Sequence, residues 1–264
     1  MPWHRSLLNQ AHSWLRQVGV RLSPIRPSEL REASLHRVTT PHGPLQLMVL
    51  DRGDSVQGEH AHGRLYEPEE LALLEQHFKG GLVVDVGANV GNHSLALALL
   101  PRTSGVIAFE PNPQAFALLQ FNVAINGLEA RINTHRLALS DREGEATLQQ
   151  PNSNLGGSSL EAAIPSKAGV VAEHRCRMVR GSDWLPDPVA LIKIDVEGHE
   201  LSCIRGLLSV LERDQPLLFV EVCDTHRSHL LQLLQPLGYR VVQKFSRYEG
   251  MSNWFLYTGS HDQD

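Results

Sequence analysis

The chain has 264 residues, 42% hydrophobic and 20% charged, and a net charge of −5 with His neutral. These values fit an ordinary globular protein of one large domain, or one domain with an extension. With no Lys/Arg block they argue against a large nucleic-acid footprint. No run reaches the roughly 18–20 apolar residues of a membrane span. Cys176, Cys203 and Cys223 form no CxxC pair and read as reduced thiols. A cytoplasmic protein is the expectation.

In chain order, Leu7, Leu8, Ala11, Trp14, Leu15 and Val18 recur at helical spacing, without the continuous apolar run of a signal peptide. Residues 20–34, with Pro24 and Pro27, read as a linker. "RVTTPHGPLQLMVL" (37–50) predicts two short strands around a turn. In "GEHAHGRLYE" (58–67), His60 and His62 would face one way if the segment were extended. As a metal pair they lack a third nearby ligand, and the segment reads as a loop at the rim of the site. Glu67-Pro68 opens a helix whose face carries Leu71, Leu74 and Phe78, and Gly80-Gly81 ends it. From there strands and helices alternate. Strands are expected at 82–86, 105–110, 132–139, 191–196 and 216–222, with 145–150 a candidate extra one and a polar Gly/Ser loop interrupting the pattern before "RCRMVR" (175–180). Helices are expected near 92–100, from Asn112-Pro113, after 196 and around Leu230–Leu237. "YRVVQKF" and "SNWFLYT" close the chain as an antiparallel hairpin. The pattern implies an α/β fold, mainly parallel, with ligands beyond the carboxyl ends of the strands.

The strand at 82–86 runs into "DVGANVGNHS". Gly87 and Gly91 allow a sharp turn and close approach of backbone to a ligand. Glu110 ends the next strand, where an acid can accept hydrogen bonds from both ribose hydroxyls of an adenine nucleoside. The spacing GxxxG lacks the third glycine of a dinucleotide fingerprint. Asp85 suits a cationic ligand better than a phosphate, which favours S-adenosylmethionine over NAD. In "LIKIDVEGHE" (191–200), Asp195 and Glu197 lie at a strand's carboxyl end, where unpaired charge is costly unless it serves a cleft.

Taken together, "VVDVGANVGNHSLALA", "AFEPNPQAFALLQFNVAIN", "LALSDREGEATL", "GGSSL", "LIKIDVEGHELSCIRG" and "LLFVEV" resemble the FkbM family of S-adenosylmethionine-dependent methyltransferases. The resemblance runs from about residue 66 to 245. It implies the class I, Rossmann-like fold: a seven-stranded, mainly parallel sheet with its last strand inserted antiparallel. Residues 1–60 then form an N-terminal extension and 61–264 the methyltransferase domain. It implies O-methylation of a sugar or secondary metabolite, with Gly87, Ala88, Asn89 and Gly91 in the cofactor loop. Glu110 matches the ribose-binding acid, Ser140 and Asp141 lie by the adenine, and Asp195 lies near the methyl donor. "RGSDWL" departs from the family pattern and leaves Asp183 as the retained acid. Beside it stand two alternatives, a NAD-dependent oxidoreductase and a non-catalytic nucleoside-binding module.

Methyl transfer to an alcohol needs alignment and removal of the hydroxyl proton. Asp195, Glu197, His199 and Glu221 are expected either to supply a general base or to bind a divalent cation such as Mg²⁺. Asp195 and Glu221 would then be the metal ligands. The "GGSSL" loop (156–160) has two readings, a lid that orders over the substrate or a plain flexible polar loop. The expected partner is a small molecule or glycan with a free hydroxyl, not nucleic acid.

Overall fold

The computed structural model describes residues 25, 30, 32–151, 155–161, 170–186 and 188–259. The expected helix around Leu7–Val18 and most of the 20–34 linker lie outside them.

Two strands, β1 (Ser34–Thr40) and β2 (Gly43–Val49), form the expected hairpin about Pro41-His42. Helices α1 (Ser55–Ala61) and α2 (Pro68–His77) follow, with Pro68 in the first turn of α2. Then come β3 (Gly81–Val86), α3 (Asn92–Ala98), β4 (Thr103–Phe109), α4 (Pro113–Ile125) and β5 (Ile132–His135). Asn112 caps α4 as expected: its side chain accepts from the amides of Gln114 and Ala115. The second half holds β9 (Val189–Ile194), α5 (Glu200–Asp214), β10 (Leu217–Cys223), α6 (Arg227–Leu234), β11 (Arg240–Tyr248) and β12 (Met251–Tyr257).

These strands make a seven-stranded sheet in the order β11-β12-β10-β9-β3-β4-β5. The β5-β4-β3-β9-β10 neighbours are parallel, and β12 runs antiparallel between β10 and β11. The last strand is therefore inserted antiparallel, as the resemblance implied. Both faces are covered because the parallel strands are apolar on both sides. α5 and α6 pack Ile204, Leu207 and Leu230 against one face. On the other, α2, α3 and α4 contribute Leu74, Leu95 and Leu119. Val38, Leu45 and Leu47 of the β1–β2 hairpin sit in this second core, so the hairpin is built into it.

Two local expectations change. The strand expected over 132–139 is broken at Arg136-Leu137. β6 (Ala138–Ser140) leaves the main sheet and joins β7 (Gly144–Pro151) and β8 (Val170–Arg180) in a three-stranded sheet ordered β6-β8-β7. "GEHAHG" is helical rather than a loop, because Asp54 caps α1 by accepting from Val56 and Gln57. His60 is consequently buried against Asn92, while the His62 ring reaches only the carbonyl of Gly58. The two histidines share no ligand position. None of the helices among the described residues is long and apolar enough to cross a membrane.

Candidate active site

Strand order reverses between β3 and β9: the chain passes from β3 outward through β4 to β5, then returns to β9 on the other side. Loops leaving neighbouring strands in opposite directions open a crevice at that point. Here the crevice is a cleft of about 300 Å³. Its floor is the pair of loops after β3 and β9, which meet closely: the Asp195 amide donates to the Val86 carbonyl (3.0 Å). Gly87, at φ +77, leaves room for the Asp195 carbonyl that any side chain would fill.

Lys193 secures this junction. Its Nζ donates to the Gly87 carbonyl at 2.8 Å and lies 3.2 Å from Asp85 Oδ1 and 3.4 Å from Asp195 Oδ2. Burial disfavours its charge, but Asp85, Asp195 and Glu67 outweigh that and hold its pKa above the ordinary value. Asp85 is fully buried, accepts from Ser94 Oγ at 2.6 Å and does not line the cleft. The cation its sequence position suggested is thus Lys193, its register partner on β9, and not a ligand.

At one end of the cleft stands Glu110. One carboxylate oxygen accepts from the Asn89 amide and the other from the Asn112 amide, both at 2.7 Å. Burial raises its pKa to about 7 against the pull of those two amides. Anchored this way, the carboxylate keeps lone pairs for hydroxyl donors in the cleft. Asn89 also lines the cleft, held in a left-handed conformation at φ 50. Ala88 and Gly91 support the loop from behind, and a side chain at Gly91 would strike Leu95 and Leu119. The adjoining wall is apolar, built from Phe109, Leu137, Ala138, Leu139, Leu148 and Leu160. Ser140 and Asp141, expected here, are not part of this wall; Ala138 and Leu139 take that place. Asp183, in a one-turn 3₁₀ helix after β8, is exposed and also absent from the wall.

At the other end lie Asp195, Glu197 and Glu221. Their carboxylate oxygens can come within 4.8 Å of one another, which makes them the candidate cation ligands among the described residues. Glu197 and Gly198 are both left-handed (φ 51 and 99), which turns the chain from β9 into α5 and brings Glu197 to the cleft. Burial, then Asp195 and Glu200, raise Glu197 to about 8. Glu221 is raised by burial, by Asp195 and by Glu197, and its Oε2 has no hydrogen-bond partner.

His199 reaches the cleft, but both ring nitrogens are engaged: Nδ1 with Glu161 (2.9 Å) and Nε2 with Ser140 Oγ (3.0 Å). That makes it a strut rather than a free base. The segment 155–161 lies on the same cleft wall and is held at several points. Ser159 Oγ donates to the Glu197 carbonyl, and the Leu155 amide donates to Asp54.

Sequence reasoning missed the wall formed by Tyr66, Glu67 and Tyr248. Tyr66 and Tyr248 meet hydroxyl to hydroxyl at 2.9 Å. Arg247 binds Glu69 and the buried Glu70, and Asn253 donates to Glu67 (2.7 Å). Only an acid directly before a helix-opening proline hinted at it.

The family description "Methyltransferase FkbM domain" matches residues 85–241. The chain belongs to the FkbM methyltransferase family. Among its relatives is the hexuronic acid methyltransferase AglP of Haloferax volcanii, 27% identical over 145 residues (53% of this chain, 55% of that protein). Another is the 31-O-demethyl-FK506 methyltransferase FkbM of Streptomyces tacrolimicus, 26% identical over 197 residues (62% and 74%). The chain thus spans little more than half of the Haloferax relative. A crystal structure from Pyrococcus horikoshii, described as a transferase, shares the fold: 17% identity, 86% of this chain, 71% of that one, TM-score 0.50. In this FkbM protein the family match takes in both ends of the cleft, Glu110 at one and Asp195, Glu197 and Glu221 at the other, but leaves Tyr66, Glu67 and Tyr248 outside.

Proposed function

We propose that the protein transfers a methyl group from S-adenosylmethionine to a hydroxyl of a sugar or secondary metabolite. The observation that carries this is the division of one cleft into two chemically distinct ends. Glu110 is anchored at one end beside an apolar wall, and the carboxylates Asp195, Glu197 and Glu221 stand at the other.

The residues fit that cofactor. Glu110 would receive the ribose hydroxyls, Leu137, Leu139 and Leu148 would cover the adenine, and Asp195 would face the positive charges of the amino acid and sulfonium. When bound, the cofactor supplies an electrophilic methyl group. The chain's own task is to fix the loop at Gly87 through Lys193, to hold the acceptor in line and to manage its proton. The hydroxyl as acceptor rests on family resemblance and on the name of the Streptomyces relative, and the sugar as substrate on that of the Haloferax relative. Asp195, Glu197 and Glu221 would also hold a divalent cation such as Mg²⁺ in a metal-assisted version, where the ion would make the acceptor hydroxyl more acidic.

Calorimetric titration with S-adenosylhomocysteine, with NAD as control and each repeated with Mg²⁺, tests the reading. Binding of the homocysteine nucleoside without NAD binding is expected, followed by methylation within a panel of glycosides. NAD binding alone would overturn it.

A further inference from the structure

Glu67 sits at the start of α2 in a left-handed conformation, φ 54 and ψ 53, directly before Pro68. A residue preceding proline avoids helical conformations, and a non-glycine residue avoids the left-handed region, so this backbone is held there by its surroundings. The position would suit a helix cap, yet the side chain makes no capping hydrogen bond. It turns inward instead, 7% exposed, onto the cleft wall.

What holds it is specific. Oε1 accepts from Asn253 Nδ2 at 2.7 Å, and Oε2 lies 3.4 Å from His93 Nε2, a buried nitrogen with no other hydrogen-bond partner. Asn253 of β12 is the register partner of Glu221 on β10, so Glu67 is tethered beside Glu221 at the acidic end of the cleft. The segment bearing it is clamped by Asn92, which accepts from the Tyr66 amide and donates to the Tyr66 carbonyl, both at 2.9 Å.

The other candidates are less free to take a proton. His199 has both ring nitrogens engaged, Asp195 is paired with Lys193, and Glu110 is anchored at the far end. Glu197 and Glu221 belong with Asp195 to the candidate cation set, where an ion rather than a proton would occupy them.

Resting on the methyltransferase reading, we propose that Glu67 is the general base of the transfer. The acceptor oxygen gains the methyl group and loses its proton to a Glu67 carboxylate oxygen. The bonding pair of the transferred methyl stays on the donor sulfur, and the proton leaves Glu67 for solvent afterwards. Burial, with Asp195 and Glu70 adding to it, raises Glu67 to about 7, which suits exchange of a proton near neutrality. The charged and titratable groups facing it are His93 from α3, Asp195 and Lys193 from the end of β9, Tyr66 beside it in the chain, and Glu70 on its own helix, itself paired with Arg247.

The test compares wild type, Glu67→Gln and Glu67→Asp. Each is measured for S-adenosylhomocysteine affinity, methylation of a panel of methyl glycosides, and ¹³C-carboxyl titration of Glu-labelled protein with S-adenosylhomocysteine bound. The expected result for Glu67→Gln is unchanged nucleoside affinity, kcat lower by at least about 100-fold with little change in KM, and loss of one resonance titrating near neutrality. Glu67→Asp, which keeps the charge, should be intermediate and serves in place of Gln if that variant does not fold. Turnover of the Gln variant within about threefold of wild type would overturn the proposal, as would titration of Glu67 in the ordinary carboxylate range. If wild type binds the nucleoside but methylates no glycoside, the titration alone decides. If wild type binds no nucleoside, the methyltransferase reading itself fails, and this proposal with it.

Discussion

A side-chain methyl on Gly87 would overlap the backbone carbonyl oxygen of Asp195. The two residues directly follow neighbouring parallel strands, β3 and β9, and the Val86–Asp195 hydrogen bond draws their loops together at the floor of the cleft. Gly87→Ala therefore adds a carbonyl clash to an unfavourable φ of +77. The expected cost is about 2–4 kcal/mol, with loss of nucleoside binding because the loop moves off Asp195. Urea denaturation and calorimetry on the same preparation would measure both. A variant of wild-type stability that still binds would show that the loops do not depend on this contact.

Lys193 and Asp85 face each other across the same strand pair, both buried. Removing one partner of a buried ion pair strands the other, so Lys193→Met should cost about 3–5 kcal/mol. Asp85→Asn combined with Lys193→Met should recover part of that, because Asn can still accept from Ser94. Denaturation curves of the two single variants and the double variant form the thermodynamic cycle. Additive losses would mean the pair is not coupled.

The main sheet was legible in the sequence because its strands are short apolar runs ending at glycine or acid, as at Val86-Gly87 and Phe109-Glu110. The terminal hairpin was legible as two strand-prone segments joined by a short turn at Glu249-Gly250. What was not legible depends on contacts distant in sequence. "INTHRLAL" reads as one strand, and only the pairing of Ala138–Ser140 with Met178–Arg180 takes its second half into another sheet. Asp85 looked like a ligand acid because nothing local shows that Lys193 lies beside it. Glu67 looked like an ordinary helix-opening acid. Its inward turn needs a left-handed backbone and an asparagine 186 positions away. His199 looked free because its partners, Ser140 and Glu161, lie 59 and 38 residues back.

Glu110 makes stability depend on pH in a definite direction. Its carboxyl has an ordinary value near 4.5 and is held at about 7 in the folded protein. Between those values the folded state keeps a proton that the unfolded state has released, so stability falls as pH rises from about 4.5 to about 7 and is flat above. The contribution is on the order of 3 kcal/mol across that window. Buried His93, lowered to about 4, adds an opposite slope below its ordinary value of 6.5, so the difference between proteins is the informative quantity. Glu110→Gln should lack the Glu110 slope, and unfolding free energies of both proteins at pH 5, 6, 7 and 8 would show it. Parallel curves would mean the Glu110 carboxyl titrates alike folded and unfolded.

The segment 155–161 makes one side-chain hydrogen bond to the chain beside the acidic end, from Ser159 Oγ to the Glu197 carbonyl at 2.6 Å. Further ties join Glu161 to His199, the Leu155 amide to Asp54, Asn112 Nδ2 to Ser158 Oγ, and the Ser159 backbone to that of Gln149. If this strap must lift for a nucleoside to leave, weakening one tie should speed release without unfolding the domain. A buried neutral hydrogen bond contributes about 1 kcal/mol, which corresponds to roughly a fivefold change in rate. Ser159→Ala is therefore expected to release S-adenosylhomocysteine about five times faster, with the association rate and the melting temperature nearly unchanged. Stopped-flow displacement would measure the two rates separately. An unchanged dissociation rate would assign the strap a static role as cleft wall. A slower association rate would mean that it helps to build the site rather than close it.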